Sequence, residues 1–138
     1  VLVSRAQIVL RRRIDPELGV LWGDPLLLRR VIQNLVANAL KFTPGGGEIL
    51  VSAGFSARRD MIELRVRDSG SGMAPQVLQQ VFERHYQADE HDRRGSGLGL
   101  YFCRLVAETH GGAIRADSQL GSGTSITFSL PLRPKLAE

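Results

Sequence analysis

Three polar residues, Asn34, Asn38 and Lys41, lie four and three positions apart in an otherwise apolar stretch. At about 100° per residue they share a sector of about 60° beside the core-facing stripe of a helix. Amide oxygen is a hard neutral ligand suited to Mg²⁺, and an ammonium group suits phosphate. The same spacing also describes two solvated asparagines and a lysine whose stem covers apolar surface. A second group is Asp68-Ser69-Gly70-Ser71-Gly72. There a carboxylate can accept a hydrogen bond from a flat ligand while glycines let the backbone come close; a plain glycine-rich turn has the same composition. A third, Gly95-Ser96-Gly97-Leu98-Gly99-Leu100, runs directly into a helical pattern and would offer free N–H groups and a favourable dipole end to phosphate. It has neither the Gly-Lys-Ser/Thr of a Walker loop nor the preceding strand of a dinucleotide fingerprint.

The elements that must position these groups are legible around them. Asp24 and Pro25 start a helix that runs to Phe42 and stops at Thr43-Pro44 and the triple glycine 45–47. Its apolar face is expected to hold Leu28, Val31, Ile32, Leu35, Ala39 and Phe42, with Arg29, Gln33 and Leu40 on the far side. Gln7–Ile14 reads as an edge strand with Ile8, Leu10 and Ile14 on one side and Arg11 and Arg13 on the other, Arg12 breaking the alternation. Asp15-Pro16-Glu17 turns the chain and Val20–Trp22 is extended. Glu48–Phe55 and Met61–Arg67 alternate as a hairpin with one buried face. Pro75–Phe82 is a short helix, and the charged, aperiodic stretch 83–96 is expected to be a mobile loop. Leu98–Thr109 is a second long helix, with Leu98, Tyr101, Phe102, Leu105 and Val106 expected in the core. Gly111-Gly112 stops it, and Ala113–Ser118 and Thr124–Leu130 are further strands. The fold class that follows is an α/β two-layer sandwich: a sheet of about five strands covered by three helices.

Composition sets outer limits. The 138 residues suit one domain with its own core. No apolar run reaches the roughly 18–20 residues of a membrane-spanning helix, and no signal-peptide pattern is present. Cys103 excludes an internal disulfide and reads as a packed thiol. Apart from Arg11-Arg12-Arg13, the arginines are scattered in pairs without interleaved aromatics. The net charge of +4 therefore reads mostly as a solvated surface with a minority share for phosphates or an acidic partner, and nucleic acid is not expected as a partner.

Taken together and in order, Asn34-Leu35-x-x-Asn38-Ala39-x-Lys41-Phe42, Asp68-x-Gly70-x-Gly72, Gly97-Leu98-Gly99-Leu100, His110-Gly111-Gly112 and Gly121-Ser122-Gly123-Thr124 resemble the ATP-binding catalytic domain of bacterial two-component sensor histidine kinases. The resemblance covers about residues 8–130 within one domain spanning 1–138. It implies the fold of the wider superfamily shared with type II topoisomerases, heat-shock chaperones and mismatch-repair ATPases, a mixed sheet with three helices on one face and a flexible lid at 83–96. Carried over position by position, Asn38 is implied as the Mg²⁺ ligand, Lys41 as a phosphate contact and Asn34 as lining the same pocket, these three being the catalytic set. Phe42 would flank the base or ribose. Asp68 would accept from the adenine amine, with Gly70 and Gly72 admitting the base. Gly97, Leu98, Gly99 and Leu100 would bring amides to the phosphates, and Thr124 would close the adenine end. Two positions depart from the pattern: His85 stands where a second aromatic is common, and Ser71 where an apolar residue is usual.

The resemblance implies an enzyme that binds Mg²⁺–ATP and passes the γ-phosphate to a histidine on a separate dimerisation helix hairpin upstream of Val1, in a homodimer that serves a response-regulator receiver domain. It implies a cytoplasmic domain without direct membrane contact, whose full-length protein can be anchored in the inner membrane. None of His85, His91 and His110 has the helical setting of the phosphorylated histidine, and His110 is accounted for by the C-terminal dipole of its helix. Hydrolysing relatives carry a glutamate base one turn before the metal-binding asparagine. Asn34 occupies that position and cannot take a proton. A nucleotide-sensing module without transfer activity and an anti-sigma-factor serine kinase are the remaining alternatives.

Overall fold

The computed structural model describes residues 2–3, 7–84, 86 and 98–132. Helix α1 spans Pro25–Phe42. Asp24 caps it through one carboxylate oxygen, which accepts from the N–H groups of Leu26 (3.0 Å) and Leu27 (3.1 Å). Pro44 disfavours helical geometry in the residue before it, and Thr43 is extended there. The buried Thr43 hydroxyl donates back to the Ala39 carbonyl at 2.6 Å, so the last turn closes without an unpaired side chain.

The strands are β1 (Leu2–Val3), β2 (Ile8–Ile14), β3 (Glu48–Phe55), β4 (Met61–Asp68), β5 (Ala113–Ser118) and β6 (Thr124–Pro131). They form one mixed sheet in the order β1-β2-β3-β4-β6-β5. β2 and β3 are parallel, a pairing that requires a crossover, and α1 supplies it. The other pairs are antiparallel. The sheet thus has the five expected strands plus the two-residue β1, which pairs only with Ile8 and Val9. Val20, Leu21 and Trp22 join no strand and lie exposed.

Two more helices complete the layer, α2 (Pro75–Leu78) and α3 (Gly99–Thr109). α2 is shorter than the expected 75–82. Ala74 offers no side-chain cap, and the chain continues in turns closed by i→i+3 bonds such as Gln80 N–H to the Val77 carbonyl (3.0 Å) and Glu83 N–H to the Gln80 carbonyl (2.9 Å). α1 and α3 pack on each other and on one face of the sheet, enclosing Ile8, Val31, Leu35, Ile49, Val66, Cys103, Val106, Ile126 and Phe128.

The inner faces of both long helices keep Leu28, Val31, Leu35 and Ala39 on α1 and Phe102 and Val106 on α3, as expected, and differ at their borders. Ile32 is exposed whereas Leu40 packs against the core, and on α3 Leu105 is exposed while Cys103 and Ala107 are buried beside Val106. The cause is a row of small residues at four-residue spacing, Gly99, Cys103 and Ala107. It lets α3 approach α1 until the Cys103 thiol lies 3.8 Å from the Val31 carbonyl. Burial pushes that thiol up to about 12, so it is a packing group with little nucleophilic character.

Candidate functional site

Three pieces meet at one end of the helix layer: the polar seam of α1, the C-terminal end of β4, and the start of α3. Asn34 and Asn38 are both half-buried. Asn34 faces the beginning of α3, where a β-carbon on Gly99 would stand 3.4 Å from its Oδ1. Asn34 of the seam and Gly99 of the glycine-rich helix start, 65 residues apart in sequence, are therefore neighbours in space. Asn38 has its Nδ2 sealed from solvent without a hydrogen-bond partner among the described residues. A buried polar atom left unpaired costs about 1–3 kcal/mol and calls for a reason. An unpaired N–H donor calls for an acceptor such as a phosphate oxygen, and the other end of the same amide, Oδ1, is the hard neutral ligand that suits a divalent cation. Lys41 lies half-buried at the last turn, with its Nζ 5.3 Å from the centroid of the Phe42 ring.

Among the described residues the start of α3 has no side-chain cap. Leu98 is its N-cap residue, with no side-chain cap bond, and the first N–H drawn into the helix is that of Phe102, donating to the Leu98 carbonyl at 2.8 Å. The N–H groups of Gly99 and Leu100 precede it without a cap, the arrangement that makes a helix start an anion site. Gly97, the expected lid at 87–96, His85 and His91 lie outside the described residues. Of 83–86, Glu83, Arg84 and Tyr86 are described, with the Tyr86 N–H donating to the Glu83 carbonyl at 3.2 Å.

Asp68 ends β4 and is only 5% exposed. Its Oδ1 accepts two backbone bonds, from Gly70 N–H at 2.9 Å and Thr124 N–H at 3.2 Å. Neither bond uses Oδ2, which leaves that oxygen as the acceptor for an incoming group. Burial raises the carboxyl above the ordinary aspartate value, and the two backbone bonds oppose the shift. Gly70 is fixed by sterics inside the protein: a β-carbon there would lie 2.3 Å from the Phe42 carbonyl oxygen. The loop after β4 therefore presses against the end of α1, bringing Asp68 and Phe42 to one place. Gly72 packs in the same way against the Gln119 carbonyl. At Gly123, φ is +86° and a β-carbon would lie 2.1 Å from the Asp68 carbonyl oxygen, so only glycine passes there. Ser71 is exposed, and the apolar contact of this loop is made two residues on by the buried Met73.

Sequence reading missed the residues that hold this arrangement. Ser118 Oγ donates to the Gly123 carbonyl (2.8 Å), accepts from Met73 N–H (2.7 Å) and sits 2.8 Å from Thr124 Oγ1, tying three loops together behind Asp68. The available signal was a serine at an inward position of β5, in register with Thr124. Ser69 Oγ accepts from Glu48 N–H at 2.8 Å and ties the loop to β3. His110 is a structural strut between the two long helices. Its Nε2 lies 3.1 Å from the Asp24 N–H, which can only donate, so the ring is the neutral Nδ1–H tautomer and Nδ1 donates to the Val106 carbonyl at 2.8 Å. This corrects the dipole explanation, which needs a cation where the structure needs an acceptor.

Residues 23–134 match the model of the family described as histidine kinase-, DNA gyrase B- and HSP90-like ATPase. The sensor protein SrrB of Staphylococcus aureus is 40% identical over 105 residues, which is 74% of this chain and 18% of SrrB. The chain thus spans under a fifth of the length of that relative. Among solved structures, the mycobacterial sensor histidine kinase MprB superposes with a TM-score of 0.79 at 34% identity, covering 93% of this chain and 86% of the other. Full-length ShkA in complex with AMPPNP gives a TM-score of 0.80 at 29% identity, over 94% of this chain and 27% of ShkA. No helix among the described residues is long and apolar enough to cross a membrane. The chain belongs to the histidine kinase-type ATPase family, as the domain that sensor kinases carry.

Proposed function

We propose that this chain binds Mg²⁺–ATP and presents the γ-phosphate to a histidine on a dimerisation domain of its full-length protein, for relay to a response-regulator receiver domain. The observation that supports it most is the convergence of the Asn34–Asn38–Lys41 seam with the uncapped start of α3, next to a buried carboxylate whose Oδ2 has no partner among the described residues. The AMPPNP in the ShkA complex is a nucleotide analogue held by a relative of the same fold.

In this reading Asp68 takes the adenine amine on Oδ2, while Gly70 and Thr124 fix the carboxylate through Oδ1. Thr124 closes that end of the pocket, Gly72 shapes its loop, and Phe42 flanks the base or ribose. Gly97, Leu98, Gly99 and Leu100 offer amides to the phosphates, and Lys41 offers its ammonium. Asn38 would hold Mg²⁺ through its amide oxygen, and the ion would supply neutralisation of the triphosphate charge. Asn34 lines the same pocket. No described side chain at the position one turn before Asn38 can take a proton from water, because Asn34 is an amide set against Gly99. Phosphoryl transfer rests on positioning and charge stabilisation, so transfer to a docked histidine needs no base at that place.

The test is incubation with γ-labelled ATP, with and without an added histidine-bearing dimerisation domain. Label that appears only on that domain, acid-labile and alkali-stable, is the expected outcome. Rapid ATP turnover by the chain alone, or acid-stable label on its serines, would overturn the reading in favour of an ATPase or a serine kinase. Nucleotide binding with no transfer to any supplied domain would leave a sensing module.

A further inference from the structure

The face of the sheet turned away from the helices carries a built cluster of arginines that the nucleotide site does not use. Arg11 and Arg13 project from β2, Arg65 and Arg67 from β4, and Leu50 and Ser52 of β3 lie between them. The register fixes two rows, Arg11–Leu50–Arg67 and Arg13–Ser52–Arg65. With strands about 4.8 Å apart and alternate residues about 6.7 Å apart, the four α-carbons mark a rectangle of roughly 10 by 7 Å. The floor is concave, a depression of about 450 Å³ lined by Arg11, Arg13, Leu50 and Arg67, with Glu48 and Asp68 at its edge. A second depression of about 710 Å³ adjoins it, shares Arg13, Leu50 and Arg67, and extends toward β6.

The charges there are unevenly matched. Arg115 lies 3.3 Å from Glu63 and 3.7 Å from Asp117, so those three satisfy one another at the β5 side. Arg11 pairs with Glu48, both ends exposed, a contact that exchanges readily with another carboxylate. Arg65 Nε donates to Thr127 Oγ1 at 3.1 Å, and its charge has no ion pair among the described residues. Arg13 and Arg67, diagonal across the rectangle, have no ion pair or hydrogen bond among the described residues.

We propose that this face is a docking site for an extended acidic peptide segment of a protein partner, laid along β3 between the arginine-bearing strands β2 and β4. Carboxylates at alternate positions of an extended chain repeat at about 6.7 Å, the spacing of the arginines along each row-bearing strand, and each guanidinium offers a fork that a carboxylate fits. Two features select this occupant. Glu48, Glu63 and Asp117 flank the arginines, which confines the positive field to a short footprint and repels a long uniform polyanion. None of the exposed large apolar residues lies among the strand positions of this face, and no aromatic does, so it lacks both an anchor for a bilayer and a stacking platform for single-stranded nucleic acid.

The probe is a fluorescein-labelled eight-residue peptide with glutamate alternating with serine, titrated by fluorescence polarisation at two salt concentrations. Saturable, salt-sensitive binding is expected, weakened at least about ten-fold in Arg13→Gln/Arg67→Gln and less in Arg13→Lys/Arg67→Lys, which keeps the charge but loses the fork. The control Arg29→Gln/Arg58→Gln removes the same charge elsewhere, and Asn38→Ala disables the proposed nucleotide site; both should bind the peptide as the parent does. Unchanged circular dichroism and melting confirm that the variants fold. Absence of saturation at about millimolar peptide, or equal weakening in the control pair, would overturn the proposal. Tighter binding of duplex DNA or of phosphatidylglycerol vesicles through Arg13 and Arg67 would overturn it in favour of those ligands.

Discussion

Replacing Asp68 by asparagine separates the two jobs that its oxygens do. The Gly70 and Thr124 N–H groups, at 2.9 and 3.2 Å from Oδ1, are fixed by the backbone and hold whatever oxygen faces them. In Asp68→Asn the amide oxygen must turn to meet them, so the NH₂ group takes the place of Oδ2. A donor then meets the adenine amine, which is also a donor. The loss is one charge-assisted hydrogen bond plus an unpaired donor at a buried site, roughly 1.5–3 kcal/mol, or about 10- to 150-fold in affinity. The same substitution removes a carboxylate whose pKa is raised by burial. A raised value means that the folded chain holds the proton more tightly than the unfolded one. Its contribution to stability is therefore complete below 3.8 and is lost as pH rises through the folded value. Above that window Asp68→Asn should be at least as stable as the parent, with the gap opening from about pH 4 upward. Calorimetry with ATP and with a purine triphosphate lacking the exocyclic amine, together with urea denaturation across pH, reads both effects. The reasoning is refuted if Asp68→Asn weakens the two ligands equally, because the loss would then not pass through the amine.

Other expectations follow from the same geometry. Asn38→Ala removes an amide whose Nδ2 has no partner among the described residues, so stability should change by less than about 1 kcal/mol while Mg²⁺-dependent ATP affinity falls; unchanged affinity by calorimetry in the folded variant would remove the metal assignment. Gly70→Ala drives a β-carbon to 2.3 Å from the Phe42 carbonyl oxygen and should cost about 1–3 kcal/mol, measured by denaturation. Gly99→Ala meets Asn34 only at ordinary contact distance, so it should fold normally yet bind triphosphate more weakly than diphosphate relative to the parent. His110→Ala leaves the Asp24 N–H and Val106 carbonyl without their ring partner, but water and the neighbouring donors can replace it, so it should cost about 0.5–1.5 kcal/mol without changing nucleotide affinity.

Much of this was readable in the chain because local chemistry and global fold agree. Asp24, Pro25, Thr43 and Pro44 bound α1 by capping and steric rules that act over four residues. The alternation in β3 and β4 fixes which side of the sheet is covered. What escaped was set by contacts remote in sequence. Leu105 and Ile32 were assigned to the core because large apolar residues dominate a helical stripe, yet Gly99, Cys103 and Ala107 decide which side of α3 meets α1. His110 was read from its own helix end, whereas its partner at Asp24 is 86 residues away. Ser118 is an ordinary strand residue until the register with Thr124 places it behind Asp68.

That register explains why the carboxylate can be both buried and ready. An aspartate side chain at 5% exposure is expensive to keep charged unless its environment is built in advance. Here two rigid backbone donors hold one oxygen, and the hydroxyls of Ser118 and Thr124 brace the loop that supplies the second donor. The orientation is thus set before any ligand arrives, and the cost appears in the apo protein as a raised proton affinity. Binding an amine at Oδ2 relieves part of that cost, so nucleotide should lower the Asp68 pKa. By linkage, the affinity of the parent for ATP should fall as pH drops through the Asp68 titration, and Asp68→Asn should lose this pH dependence. Titration of the Asp68 carboxyl carbon by NMR, with and without nucleotide, measures the shift directly. An Asp68 pKa that nucleotide leaves unchanged would show that Oδ2 does not meet the ligand, and the base would have to be read by other groups.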